Sequence, residues 1–160
     1  VKGFHRLVPG GEVRLRGAGI IRCDEVVRSA AGEVIELRCT LDADTRPGGS
    51  GADRKVKGTI HWVDARSAVA AEVRLYDRLF DVADPDDDTD GKTYRDHLNP
   101  GSRRMIRAWL EAGLAGAARE STWQFERLGY FVADRHDHAA AAPVFNRVVT
   151  LRDTWVKPAK

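Results

Sequence analysis

Apolar residues along this chain mostly alternate with polar ones instead of recurring every third or fourth position, the spacing of strands and not of helices. Residues 11–16 (GEVRLR) place Val13 and Leu15 on one face and Glu12, Arg14 and Arg16 on the other. Residues 19–28 and 33–41 predict a hairpin turning through Ser29-Ala30-Ala31-Gly32. In its returning strand Ile35, Leu37, Cys39 and Leu41 share a face, and Cys23 and Cys39, on paired strands, read as small core residues. Residues 46–53 (RPGGSGAD) predict a flexible loop. Strand character resumes at 56–63 and 70–76, and 122–133 with 143–152 predict a long closing hairpin whose tip is 134–142. One segment breaks the pattern. Met105, Ile106, Trp109, Leu110, Gly113 and Leu114 fit a helical repeat, so periodicity predicts an amphipathic helix over 103–118. The many short strands otherwise predict an all-β barrel or sandwich.

The chain has 160 residues, near the usual size of one domain, about 100–150 residues. An apolar share of 42% is enough to fill a core. No apolar run approaches a membrane span, no signal-peptide pattern opens the chain, and two cysteines cannot make a disulfide framework. These features predict a reduced, soluble, cytoplasmic domain with no membrane partner. The start at Val1 and the single Met105 predict a piece of something longer. Net charge is only +2, but residues 81–90 hold six aspartates and no base, which leaves a basic remainder. Of 26 bases, all but six are arginine, whose planar fork suits base edges and phosphates. GC-rich coding would enrich arginine equally, so composition leaves that open.

Motifs for catalysis are absent. Asp86-x-Asp88-x-Asp90-Gly91 opens like a calcium loop, but position 12, which needs a bidentate Glu, is His97. A solvated acidic loop is the reading that remains. His136-Asp137-His138 supplies too few ligands for a metal. No nucleophile elbow, phosphate loop or dinucleotide fingerprint occurs, so the sequence assigns no catalytic residue and no metal site. The basic strands say more. Arg14 and Arg16 lie two apart and project from one strand face, with Arg6 upstream, a row of donors able to meet splayed-out bases. A solvated strand face paired with acids such as Glu36 would look the same. Gln124, between Trp123 and Phe125, offers a paired donor and acceptor.

The strings KVKGTIHWV (55–63), EVRLYDRLF (72–80), FERLGYF (125–131) and VFNRVVTLRDTW (144–155) resemble bacterial glutaminyl-tRNA synthetases. FHRLVPGGEVRLR (4–16) and TLDADT (40–45) extend the resemblance over essentially the whole chain. It implies that residues 1–160 are part of the C-terminal anticodon-binding region of that family. Two β-barrels, of a kind also found in a ribosomal protein, are then expected, the first incomplete because strands precede Val1. It also implies that 103–111 is strand, against the helical periodicity. The catalytic domain, with its ATP and magnesium, would lie outside this chain, which would itself carry no cofactor. Expected partners are a glutamine tRNA and the catalytic domain of the same polypeptide, with no DNA. By resemblance Arg6 meets the third anticodon base, Arg14 and Arg16 surround the first, and Gln124 and Arg127 enclose the middle uridine. His5 departs from the lysine usual at its position. Gln124 and Arg127 are three apart, so an ideal strand would separate them, and a bulge, twist or strand end has to intervene. Alternatives are the anticodon domain of archaeal or eukaryotic glutamyl-tRNA synthetases, a stand-alone ribosomal-type RNA binder and, last, a hydrolase.

Overall fold

The computed structural model describes residues 7–87, 89 and 91–151, which form an all-β structure in two compact units, 1–62 and 63–160. In the first unit β1 (Glu12–Leu15), β2 (Gly19–Arg28), β3 (Val34–Asp42) and β4 (Thr59–Ile60) form a sheet in the order β3-β2-β1-β4. Only β1 and β4 run parallel. The β1–β2 turn closes with the Ala18 amide on the Leu15 carbonyl, and Gly17 adopts φ +71 there, a conformation that costs glycine nothing. The predicted β2–β3 hairpin forms, its turn capped by the Ser29 hydroxyl, which accepts the Glu33 amide.

Alternation decides burial in this sheet, but not on every strand. Val13, Ile20 and Cys23 are fully buried, whereas Val34, Ile35 and Leu37 of β3 are exposed, as is Cys39. Cys39 as a core residue is therefore corrected: β3 is an edge strand, and nothing among the described residues of its unit covers its apolar face. Strand structure in 56–63 shrinks to two residues of β4.

The second unit contains β5 (Val69–Tyr76), β6 (Arg103–Leu110), β7 (Thr122–Phe125), β8 (Gly129–Ala133) and β9 (Val144–Val149), ordered β6-β5-β9-β8-β7. β5 and β9 are parallel and the remaining pairs antiparallel. The helix predicted by periodicity at 103–118 does not form. All eight residues of β6 pair with β5, and only Ala112–Gly116 winds, as a 3-10 turn. Met105, Arg107 and Trp109 alternate outward along that edge strand, while Leu110 joins the core. Cross-strand pairing outweighs a spacing that both periods can accommodate.

The expected single strand 122–133 is also corrected, because it folds back on itself at 126–128 as β7 and β8. Phe145, Phe131, Val73, Ala71, Ala133 and Leu110 form the core, and Phe125 stacks on Phe131 with centroids 4.2 Å apart. Burying a side chain such as Phe145 contributes roughly 1.5–3 kcal/mol. Gly129 allows the close approach of β8 to β9: a Cβ there would lie 2.3 Å from the Val149 carbonyl oxygen. Neither sheet order returns on itself, so the all-β expectation holds while barrel closure is not among the pairings of the described residues.

Candidate nucleic-acid interface

Arg14 sits on the face of β1 opposite Val13, and its register neighbour across β2 is Ile20. Above that face the chain leaving β3 makes a 3-10 turn at Ala43–Thr45, started by the Asp42 carboxylate, which accepts the Asp44 amide. Thr45 is buried and locks the turn to the sheet, its hydroxyl accepting from the Ile20 amide and donating to the Asp42 carbonyl, both at 2.7 Å. The guanidinium of Arg14 then grips the loop that follows. Nη1 donates to the Thr45 carbonyl (3.0 Å), and Nη2 donates to the carbonyls of Ala52 (3.0 Å) and Arg54 (2.8 Å).

The loop predicted to be flexible is thus pinned at both ends. The Gly51 amide reaches the Asp44 carbonyl, and a Cβ at Gly49 would lie 2.2 Å from that same oxygen. Arg54 closes the arrangement with a two-pronged contact to Glu12 (2.8 and 3.2 Å) and a bond to Asp42 (3.2 Å). Its hydrogen bond holds the Glu12 carboxyl below the ordinary range. Sequence reading missed Thr45, Arg54 and these carbonyls. The only available signal was the glycine-rich composition of 48–51, which permits tight backbone but does not say what fixes it.

Arg16, at the end of the same strand, is exposed. Its backbone is held on both sides: its amide donates to the Ile60 carbonyl (3.1 Å) and its carbonyl accepts the indole N–H of Trp62 (3.0 Å). The half-exposed Trp62 was not singled out from sequence. Lys55, Lys57 and His61 are exposed on the approach to it. Arg6 lies outside the described residues.

Gln124 and Arg127 belong to the second unit, and both are exposed. Gln124 is on β7 opposite Tyr130, and β7 ends at Phe125. The Leu128 amide closes the turn onto the Phe125 carbonyl, and Arg127 sits in it with φ +63, unusual for a residue other than glycine. A strand end therefore lies between the two residues.

The described histidine and acidic-loop residues make contacts within the fold. His138 is buried, with Nε2 3.0 Å from the Ala117 carbonyl and Nδ1 3.0 Å from the Val144 carbonyl and 3.2 Å from the Val144 amide, so both ring nitrogens are engaged by backbone. His136 is exposed and Asp137 pairs with Arg74 at 2.6 Å. Asp84 and Asp87 accept backbone amides within the acidic loop, and Asp88 and Asp90 lie outside the described residues. Among the described residues no group of three or more His, Cys, Asp or Glu is placed to hold a metal ion. Among the described residues no helix is long and apolar enough to cross a membrane.

Two family models match, both described as "tRNA synthetases class I (E and Q), anti-codon binding domain", over residues 2–42 and 59–134. The chain is 67% identical over 98% of its length to the glutamine–tRNA ligase of Xanthomonas euvesicatoria. It is 69% identical over 96% of its length to that of Xylella fastidiosa. It spans about a quarter, 27%, of the length of these relatives.

Proposed function

We propose that this chain, which belongs to the anticodon-binding domains of the class I (E and Q) tRNA synthetases, reads the anticodon of a glutamine tRNA on behalf of a synthetase that attaches glutamine. Attachment itself, with its ATP and magnesium, falls to the catalytic part of the parent protein. The work of these residues is to hold unstacked bases so that only the right edges are satisfied. A wrong base leaves a desolvated donor or acceptor unpaired, at about 1–3 kcal/mol each.

The observation that supports this reading is the difference in setting between Arg14, whose guanidinium lies against loop carbonyls, and Arg16, which is exposed just past the end of β1. Arg14 spends three N–H groups on loop carbonyls, so it acts on the first base chiefly by shaping the 45–54 backbone around it. Arg16 stands exposed on a strand end fixed by Ile60 and Trp62, and makes the direct contact. Gln124 and Arg127, from the β7–β8 turn, enclose the middle uridine, and Arg6 meets the third base. Arginines that meet phosphates add affinity that falls with salt.

The test is charging by the intact synthetase. Glutamine esterified to a glutamine tRNA, with Arg16→Ala lowering kcat/KM tenfold or more for that tRNA, is the expected result. Equal charging of glutamate would move the assignment to the glutamyl branch. Tight binding of the intact protein to 5S ribosomal RNA, without tRNA preference, would overturn it in favour of a ribosomal-type binder.

A further inference from the structure

Cys23 and Cys39 are directly opposed across β2 and β3. Cys23 directs its own backbone groups away from β3: its amide donates to the Gly11 carbonyl (3.0 Å) and its carbonyl accepts the Gly10 amide (2.8 Å). Toward β3 the two cysteines therefore form a non-hydrogen-bonded pair, the site in an antiparallel ladder where Cα atoms come to about 4.5 Å and side chains lie closest. Directly opposed residues share a face, and a disulfide needs Cα atoms roughly 4.4–6.8 Å apart. A register irregularity follows at once, between Cys23 and Glu25, and bulges add local twist. Both cysteines are free thiols here, Cys23 buried and Cys39 exposed. Each makes a weak contact to a carbonyl two residues away on its own strand, Cys23 to Glu25 (3.7 Å) and Cys39 to Leu37 (3.8 Å). The Cys39 thiol is pushed up, first by partial burial and then by the nearby Cys23.

We propose that Cys23 and Cys39 are a redox modification site, a dithiol that oxidised low-molecular-weight thiols such as glutathione disulfide convert to a cross-strand disulfide. The exposed Cys39, as thiolate, attacks one glutathione sulfur. The glutathione S–S bond breaks, and the first glutathione leaves with its electron pair and takes up the Cys39 proton. Cys23 then attacks the Cys39 sulfur of the mixed disulfide, and its proton goes to the second departing glutathione. Two protein thiols are oxidised and one glutathione disulfide is reduced to two thiols, so atoms and electrons balance. Buried Cys23 cannot be the first to react, which fixes the order of attack.

The experiment is native incubation of the intact protein with glutathione disulfide, then alkylation of the remaining thiols, tryptic digestion and mass spectrometry. The expected product links peptide 23–28 to peptide 39–54, lighter than the two reduced peptides by two hydrogens. Cys23→Ser should halt at a glutathione adduct on Cys39. Cys39→Ser, a change at an exposed position, should leave Cys23 unmodified under native conditions. A stable glutathione adduct on Cys39 of the unsubstituted protein with Cys23 fully alkylated would overturn the proposal. So would a link that forms only after denaturation, or no modification of either residue.

Discussion

Arg14 Nη1 donates to the carbonyl of Thr45, 31 positions later in the chain, across 3.0 Å, and so ties β1 to the loop that follows β3. The same side chain reaches Ala52 and Arg54, which makes it the hub of a backbone cradle and distinguishes it from Arg16, just past the end of β1. Two arginines two positions apart thus differ in setting: the Arg14 guanidinium lies against loop carbonyls, and Arg16, just past the strand end, is exposed.

Arg14→Ala removes three charge-assisted bonds and leaves three carbonyls to find water. Stability of the first unit should fall by about 2–3 kcal/mol, measured by chemical denaturation of the intact protein. Arg14→Lys should recover only part of that loss, since an ammonium cannot span three carbonyls in the guanidinium geometry. Arg16→Ala should reduce tRNA affinity.

Arg127 occupies a left-handed conformation at the β7–β8 turn, which costs a residue with a Cβ on the order of 1–2 kcal/mol. Arg127→Gly relieves that strain and removes the guanidinium. The expected outcome is a stability gain of up to about 1 kcal/mol together with weaker tRNA binding, roughly tenfold, about 1.4 kcal/mol. Opposite signs in the two measurements would identify a strained residue retained for its contact.

Asp134 collects the amides of Asp137 and His136, the Asn146 side chain and Arg74. The Asp137 amide, then Asn146, then the His136 amide hold its carboxyl far below the ordinary aspartate range. An unfolded aspartate titrates near about 3.9, so this stabilisation is complete above that pH and is lost as pH falls through the lower folded value. Thermal midpoints should therefore be flat near neutrality and drop on acidification below about pH 4. Asp134→Asn should lower the midpoint at pH 7 and flatten the acid limb.

The β2–β3 hairpin was legible because polar and apolar residues alternate cleanly from Ile35 to Leu41 and Ser29–Gly32 supplies turn chemistry. β6 was not legible by periodicity, since Met105, Ile106, Trp109 and Leu110 put apolar groups on both faces of an edge strand, a set that a helix stripe also satisfies. The resemblance gave the right element there. The break between β7 and β8 was hidden because its positive-φ position carries Arg127, where turn rules look for glycine or asparagine. Arg14 and Arg16 could be picked out as a pair, but no sequence rule says which guanidinium meets loop carbonyls. That depends on Thr45 and Arg54, 31 and 40 residues away.

Recognition of the anticodon is tested most directly by equilibrium binding of the intact protein to glutamine tRNA transcripts that differ only in the three anticodon bases. A wrong base that leaves a buried donor or acceptor unpaired costs about 1–3 kcal/mol, so replacing the middle uridine should weaken binding roughly tenfold or more, and replacing all three bases should abolish the preference for that tRNA. Equal affinity for the native and the anticodon-substituted transcripts would contradict the account.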